Sequence, residues 1–429
     1  MKYPKYSEYK DSGIEWIGII PKGWEVKKLS RCLSRLESGN REVGGGNQLE
    51  DGVFSIGGEH IDWEGNISLT NPKYIKESFY FNLNSGKVKE EDILLVKDGA
   101  TIGKIAHVKE LPVKKVAINE HVFLLRTNKS LHSKFLYYFL YSKIGQTQIL
   151  SNVRGAAQGG LNSSFVQKLY ISIPPLLVQK NISSFLDNEI ERLSKLIYKE
   201  NNIISLLKEK RQSIITNSVT KGLDPNVSMK DSDVDWIGEI PEHWKLTKLK
   251  RVCHFNYGDS LPAEDRLEGE FPVFGSNGII DYNSLANTGS PTIIIGRKGS
   301  YGKLFYSSLS GFAIDTTFFV NEKTSKVNLK WLYYALGILH LDMNSLDTGV
   351  PGLSRENAYE GIIVLPSNEE QFLISNFLDS KTNKIDILIS KHLKLIDLLK
   401  EYKSSLITQA VTGKIDVRGF AASSTSNNV

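Results

Sequence analysis

Cysteine is scarce in this 429-residue chain, and long apolar runs are missing. Its two cysteines, Cys32 and Cys253, lack the paired spacing of disulfide frameworks and zinc sites, which favours a reducing compartment and argues against a structural metal. No segment reaches the 18 or so apolar residues of a membrane span, and the N-terminal residues lack the apolar core of a signal peptide. We therefore expect a cytoplasmic protein that makes no membrane contact.

Catalytic and cofactor-binding motifs are also missing. The Gly-Lys pairs that end at Lys104 and Lys303 do not complete a phosphate-binding loop, and the eight histidines include no HExxH pair. Asn71 begins the sequence NPKY, which lacks the second proline of the amino-methyltransferase motif. We expect no enzymatic activity, no cofactor and no metal, and we interpret four histidines as structural: His60, His107, His254 and His340.

The chain contains an internal duplication. Residues 10–29 (KDSGIEWIGIIPKGWEVKKL) match residues 230–249 (KDSDVDWIGEIPEHWKLTKL) at 11 of 20 positions, and residues 179–187 (QKNISSFLD) match residues 371–379 (QFLISNFLD). Only short echoes remain between these segments, such as LLVKDGATIGK beside IIIGRKGSYGK and GLNSS beside GLSRE. Matched ends predict equivalent surfaces for two copies of one partner, whereas divergent middles predict two unlike ligands on one fold.

A heptad frame of apolar residues closes each repeat. It predicts two helices of about 35 residues, or about 50 Å, that pair as an antiparallel coiled coil with pseudo-two-fold symmetry. The alternative is two separate amphipathic helices, each packed on its own domain. Four polar residues interrupt the seam and are expected to fix the register: Glu200, Arg211, His392 and Lys403. The apolar seam comprises Leu186, Leu193, Ile197, Ile204, Leu207, Leu378, Ile385, Ile389, Ile396 and Leu399.

The predicted fold class is α+β, with two tandem-duplicated domains of mixed α and β structure, each followed by a long helix. Segments such as DILLV and PTIII predict strands, and FLYYFLY predicts a helix. The predicted boundaries are residues 1–173 for the first domain, 174–229 for a central helical spacer, 230–366 for the second domain, 367–417 for a distal helical spacer and 418–429 for a disordered tail.

Two glycine-containing stretches of the first domain are candidates for DNA contact. Lys97 and Lys104 flank a turn at Asp98 and Gly99 that allows close approach to a phosphate. The loop SNVRGAAQGGLNSS holds Arg154 and Gln158, which are long enough to reach base edges. The alternative interpretations are a solvated charge cluster and a plain surface turn.

The second domain offers a parallel set. Arg297, Lys298 and Lys303 surround Gly299, Tyr301 adds an aromatic ring, and Arg355 follows the glycine of TGVPGLSRE. The whole chain carries a net charge of +5, yet residues 231–366 hold 12 basic and 17 acidic side chains. Attraction of DNA to this domain therefore depends on the local cluster.

Four tryptophans are matched between the copies: Trp16, Trp24, Trp236 and Trp244. Identical residues are poor candidates for reading different sequences. They are interpreted as packing anchors or as a surface on which a partner subunit docks.

The sequence resembles the DNA-specificity (S) subunits of type I restriction-modification enzymes over essentially its whole length. The features that carry the resemblance are the doubled DSxxxWIGxIPxxW opening, the strand-to-glycine segments that end at Lys104 and Lys303, and the QxxISxFLD start of each helix. The resemblance implies two target-recognition domains that each read half of a bipartite double-stranded DNA site. It also implies helices that space these domains, two modification (methyltransferase) subunits and two restriction subunits as partners, and a specificity subunit that is not itself catalytic.

Two other hypotheses remain open at this stage. The first is a tandem protein-interaction scaffold without DNA binding, which would bind a partner but would not retain DNA. The second is a self-sufficient methyltransferase or nuclease, which the missing motifs oppose and which methyl transfer by the isolated chain would support.

Overall fold

A computed structural model describes residues 3–42, 49–155, 159–342 and 352–420 of the chain. The chain divides into two compact units: unit 1 comprises residues 1–199 and 395–429, and unit 2 comprises residues 200–394. Within the described ranges, every helix is either too short or too polar to span a bilayer.

Unit 1 is built around a four-stranded antiparallel sheet, β4-β10-β7-β8, beside a three-stranded sheet, β6-β5-β9, in which β5 and β9 are parallel. Its strands are β1 (Tyr9–Asp11), β2 (Ile19–Pro21), β3 (Glu25–Lys28), β4 (Leu33–Ser38), β5 (Val53–Ile56), β6 (Tyr74–Ile75), β7 (Ile93–Val96), β8 (Ile105–His107), β9 (Val116–Ile118), β10 (Val122–Thr127), β11 (Val153–Arg154), β12 (Gly160–Leu161) and β13 (Tyr170–Ile173). Its helices are α1 (Glu77–Asn82), α2 (Ser133–Tyr141), α3 (Lys143–Leu150), α4 (Phe165–Lys168) and the first part of α5 (Leu176–Lys221).

Unit 2 repeats this plan with the sheets β17-β23-β20-β21 and β19-β18-β22, of which β18 and β22 are parallel. Its strands are β14 (Met229–Asp231), β15 (Glu239–Pro241), β16 (Lys245–Lys248), β17 (Asn256–Tyr257), β18 (Phe271–Gly275), β19 (Gly278–Asn283), β20 (Thr292–Gly296), β21 (Leu304–Ser307), β22 (Phe312–Ala313), β23 (Thr317–Asn321) and β24 (Ile362–Leu365). The helices that follow are α6 (Leu329–Leu336), α7 (Arg355–Tyr359) and α8 (Asn368–Val411), of which α8 belongs to unit 1 from residue 395 onward. The α+β class predicted from the sequence is confirmed.

The central strands are apolar throughout because both of their faces are buried. Ile93 and Leu95 of β7 pack with α2 in the main core of unit 1, whereas Leu94 and Val96 face a second core on the other side of the sheet. Strand β20 does the same in unit 2. Alternating side chains therefore serve two layers, which explains the continuous runs DILLV and PTIII.

The long helices extend further than the sequence predicts. Helix α5 has 46 residues and α8 has 44, so the prediction of about 35 residues was wrong. The difference lies at the helix ends, where the seam gives way to packing on the domains. Ile182 and Phe185 of α5 belong to the core of unit 1, and Ile215 and Val219 belong to the core of unit 2. Tertiary contacts therefore prolong each helix beyond the heptad pattern.

The two helices run antiparallel where they meet in unit 2. Arg211 Nε lies 3.0 Å from Asp386 Oδ1, and Glu200 forms a hydrogen bond with His392. Residue numbers therefore increase along α5 in the direction in which they decrease along α8. The side chains of Leu186, Leu193, Ile204, Leu378, Ile385 and Ile396 are buried, and those of Ile197, Leu207, Ile389 and Leu399 are half-buried.

Candidate nucleic-acid interface

A cation follows the same strand of the central sheet in each unit. Lys97 comes directly after β7, and its N–H donates to the His121 carbonyl at 2.9 Å. Arg297 comes directly after β20, and its N–H donates to the Thr316 carbonyl at 2.8 Å. The sheet register makes the pairs equivalent, because Phe123 of β10 and Phe318 of β23 occupy the same place beside them.

Glycine closes both of these turns for a conformational reason. Gly103 and Gly302 have φ angles of 94° and 75°, in the left-handed region that side chains disfavour. From this conformation their N–H groups donate to the carbonyls of Val96 and Gly296, at 3.1 Å and 2.8 Å. The Gly-Lys echo in the sequence is therefore a turn requirement.

A glycine-leucine segment docks on each turn. In unit 1 the Leu161 N–H donates to the Lys97 carbonyl at 2.7 Å, and in unit 2 the Leu353 N–H donates to the Arg297 carbonyl at 2.8 Å. The flanking residues also pair across the gap, Asp98 with Gly160 and Lys298 with Gly352. We call these assemblies cradle 1 (residues 97–104 and 160–163) and cradle 2 (residues 297–303 and 352–355). The structure thus brings together the two candidate stretches in each domain.

Cradle 1 holds two half-buried cations, Lys97 and Lys104, and one carboxylate. Lys97 Nζ donates to Ser38 Oγ at 2.8 Å and lies 5.0 Å from the centroid of the Phe123 ring. Asp98 Oδ1 lies 2.6 Å from Nδ1 of His121. Lys104 lies at the end of the turn. Its Nζ is 6.0 Å from the centroid of the Trp63 ring, which is exposed.

The other two candidates of the first domain are on the adjoining loop. Arg154 is exposed at the end of β11, in the two-stranded ladder that β11 forms with β12. Gln158 lies outside the described residues. Contact of these residues with DNA stays a prediction.

Cradle 2 holds two arginines on one tyrosine ring. The Cζ atoms of Arg297 and Arg355 each lie 4.9 Å from the centroid of Tyr257. Arg297 Nη1 also donates to the Asp315 carbonyl at 3.2 Å, and Arg355 Nη2 lies 3.4 Å from Glu356 Oε1. Lys298, at the position that Asp98 occupies in cradle 1, is exposed. The equivalent residues of the two cradles therefore differ in charge.

Tyr301 and Lys303 lie at the far end of the second turn. Tyr301 is half-buried and packs against the main core of unit 2, so its ring contributes to folding. Lys303 is exposed, and its Nζ donates to Asn277 Oδ1 at 2.6 Å. Of these two residues, Lys303 has the more open side chain for a phosphate contact.

Two residues that contact the cations of the cradles were not identified from the sequence. Ser38 on β4 and Tyr257 on β17 occupy equivalent positions, paired with Phe123 and Phe318 respectively. Ser38 precedes Lys97 by 59 residues, and Tyr257 precedes Arg297 by 40 and Arg355 by 98. No local pattern links them, because the neighbourhood arises only from the sheet register.

The matched tryptophans fall into two groups. Trp24 and Trp244 are only 2% and 1% exposed, so they are packing anchors, whereas Trp16 and Trp236 are 53% and 49% exposed. Trp16 lines an apolar cavity together with Ile144 and other side chains of unit 1. The exposed pair is the one available to a partner.

Two of the histidines interpreted as structural, His60 and His107, make close contacts within their domain. His60 is buried and accepts a hydrogen bond from the Gly57 N–H at 2.9 Å. Burial lowers the pKa of His107, although the neighbouring Glu91 carboxylate acts in the opposite direction. Among the residues that the structure describes, no group of three or more His, Cys, Asp or Glu side chains could hold a metal ion.

Comparison with known proteins agrees with this architecture. The family model described as "Type I restriction modification DNA specificity domain" matches residues 55–205 and 241–396. The chain is 26% identical to the putative type I restriction enzyme MjaX specificity subunit of Methanocaldococcus jannaschii, over 94% of this chain and 96% of that protein. It is 25% identical to the MjaVIII specificity subunit of the same organism, over 94% and 95%.

Solved structures support the fold. A chain from a structure that concerns complex assembly and conformational transition of the type I R-M system has a TM-score of 0.70 at 17% identity, covering 91% of this chain and 98% of the other. The crystal structure of the HsdS subunit from Thermoanaerobacter tengcongensis has a TM-score of 0.51 at 18% identity, covering 92% and 98%. The duplicated units, the paired helices and the two matches to the family model lead to one conclusion: the chain belongs to the type I restriction-modification specificity subunits, the family that recognises DNA sequence for these enzymes.

Proposed function

We propose that this chain is a non-catalytic subunit that recognises a bipartite double-stranded DNA site, with each unit reading one half-site. In this proposal the chain directs two modification subunits and two restriction subunits to the site. The duplicated segments, including the exposed Trp16 and Trp236, are where two copies of one partner would dock. The domain boundaries predicted from the sequence form part of the same proposal.

One observation carries the proposal: the same backbone cradle holds different side chains in the two units. Lys97 and Ser163 of cradle 1 stand where cradle 2 has Arg297 and Arg355. A duplicated protein that bound one ligand twice would keep these positions alike. Unlike side chains on a shared frame are what two different DNA sequences require, because side chains at base edges determine which base is accepted.

The long helices supply a measure of distance. At 1.5 Å per residue, 46 residues correspond to about 69 Å, which is about two turns of duplex at ~34 Å per turn. A helix of this length suits a spacer between domains that meet one segment of DNA. We infer that helix length sets the gap between half-sites.

A map of methylated bases in the genome tests the proposal. The map is compared between cells of the source strain with and without this gene, and we expect methylation at one split motif to disappear. Lys97→Met and Arg297→Met should each alter recognition of a different half of that motif. The matched controls are Lys129→Met and Lys323→Met, exposed residues just beyond the other ends of β10 and β23.

The methylation map also distinguishes this proposal from the competing hypothesis of a protein-interaction scaffold. If the methylation map is unchanged and the assembled complex does not retain DNA in a mobility-shift experiment, the DNA-recognition proposal is wrong.

A further inference from the structure

Tyr257 is placed to organise cradle 2. It lies on β17, the edge strand of the central sheet, and its backbone pairs with Phe318 of β23. Its ring also contacts the Phe318 ring, with centroids 5.0 Å apart and planes at 62°. The ring is therefore held by the sheet, yet the side chain remains 45% exposed. It forms a fixed aromatic surface at the rim of the cradle.

Two guanidinium groups contact the Tyr257 ring. Arg297 and Arg355 reach the Tyr257 ring from different parts of the chain, each with Cζ 4.9 Å from its centroid. Cation–π attraction favours each contact, but it also brings two like charges near one another. The nearest carboxylate on Arg355 is Glu356, at 3.4 Å, and Arg297 is held by a neutral carbonyl. Binding of an acceptor-rich group would offset the remaining repulsion.

Arg355 also has a donor that the described residues leave unused. Its Nε atom is buried and has no hydrogen-bond partner among the described residues. A buried donor without a partner is costly, and such groups often mark a place where a ligand or water completes the hydrogen bonding. This observation is independent of the stacking on Tyr257.

We propose that Tyr257 is the positioning residue of cradle 2, and that its ring holds Arg297 and Arg355 as a two-arginine site for one group of the half-site DNA that presents paired acceptor atoms. Such a group is either the O6 and N7 edge of a guanine or the oxygens of a backbone phosphate. Both bind the planar fork of an arginine in a bidentate manner, and a stacked guanidinium has its plane fixed in advance. The inference rests on the proposed function, and it concerns how unit 2 performs it.

Cradle 1 lacks this arrangement. Ser38 stands in the place of Tyr257, Lys97 in that of Arg297 and Ser163 in that of Arg355. Lysine presents a compact charge without the fork, and serine cannot stack on a cation. The three differences occur together, so the two-arginine site distinguishes unit 2 from unit 1.

The test uses the full chain assembled with the modification subunits of the source strain. Tyr257→Phe keeps the ring, and Tyr257→Leu removes it while retaining an apolar side chain. Tyr198→Leu, at an exposed tyrosine of α5, is the matched control. For each variant the methylated motif is mapped in cells, and the affinity of the complex for DNA carrying that motif is measured at several salt concentrations.

We expect Tyr257→Phe and Tyr198→Leu to behave as the original protein, and Tyr257→Leu to bind at least tenfold more weakly. If the acceptor is a guanine, Tyr257→Leu relaxes the motif at one G·C pair of one half-site. If it is a phosphate, the motif is unchanged, and the log–log salt slope becomes shallower by about 1.

The inference is overturned if Tyr257→Leu retains both affinity and motif, or if Tyr257→Phe is as defective as Tyr257→Leu. Should Tyr257→Leu fail to fold, Arg297→Lys and Arg355→Lys replace it, since they keep the charge but lose the fork. Failure of the proposed DNA-recognition function would give a different experimental result. In that case the original protein would show no split motif and no DNA retention, whatever residue stood at position 257.

Discussion

The indole Nε1 of Trp244 donates a hydrogen bond to the carboxylate of Glu370 at 2.9 Å. Ser367 donates to the other oxygen of the same carboxylate through its hydroxyl and its backbone N–H, at 2.7 Å and 3.0 Å. Trp244, which matches Trp24 of the first copy, is thereby tied to the first turn of α8. Val178 occupies the corresponding place in the first copy, so this link is particular to unit 2.

Glu370 should make the stability of unit 2 depend on pH. Burial alone would raise the pKa of Glu370, but hydrogen bonds from Ser367, Trp244 and His243 outweigh it and lower the pKa from its usual 4.5 to about 2. A lowered pKa stabilises the fold above about pH 4.5, and this stabilisation is lost as the pH falls towards 2. We expect Glu370→Gln to be less stable than the original at pH 7, with the difference shrinking below pH 4.5.

Urea unfolding between pH 7 and pH 3 measures this effect. Glu264→Gln, at an exposed position of unit 2, is the control and should show no such trend. A difference between Glu370→Gln and the original that stays constant over the whole range would contradict the prediction.

Buried Gln371 should stabilise the junction between the second domain and helix α8. Gln371 accepts from the Asn328 N–H at 2.8 Å and donates to the Pro366 carbonyl at 2.9 Å. We expect Gln371→Met to lower the free energy of unfolding by about 1–3 kcal/mol, because both backbone groups lose their partner. Gln212→Met, at an exposed position of α5, should change it by less than about 0.5 kcal/mol. Equal effects of the two substitutions in urea unfolding would refute this role.

Lys298 should contribute to DNA binding through charge alone. It is exposed beside Gly299, and it stands where Asp98 is found in cradle 1. We expect Lys298→Ala to weaken binding of all DNA sequences alike and to make the log–log salt slope shallower by about 1. Lys323→Ala should leave the slope unchanged. An unaltered slope in Lys298→Ala would remove this residue from the phosphate contacts.

Helix length should determine the spacing of the half-sites. Deletion of residues 201–207 and 385–391 removes one heptad from each helix and leaves Glu200 and His392 in place. The loss of 7 residues shortens each helix by about 10 Å, or about three base pairs at ~3.4 Å each. We expect the methylated motif to keep both half-sites and to lose about three base pairs between them. Retention of the original spacing would show that the helices do not set it.

The sequence predicts those features that repeat at a short period. The heptad frame from Leu186 indicates the antiparallel helix pair, and the apolar run at Ile93–Val96 indicates a strand buried on both faces. The helix ends could not be predicted in this way, because Ile215 and Val219 pack on a domain instead of the seam. Their helical state follows from tertiary contacts.

The cradles were predictable only in part. Glycine and cations are neighbours in the sequence, so Lys97, Arg297 and Lys298 could be selected as candidates. Tyr257 could not, because β17 precedes Arg297 by some 40 residues and meets it only through pairing with β23. A contact that depends on sheet register leaves no local trace in a single sequence.

The division of the chain has a consequence for its synthesis. The core of unit 1 includes Leu406, Ile407, Val411 and Val417, which are translated after every residue of unit 2. Tyr9 and Ser172 also donate hydrogen bonds to the carbonyls of Gly413 and Val411, at 3.1 Å and 3.2 Å. On the ribosome, the domain made first therefore keeps part of its apolar interior open until the last helix emerges, while the domain made second can close beforehand. A premature stop codon within α8 would leave the core of the N-terminal domain incomplete.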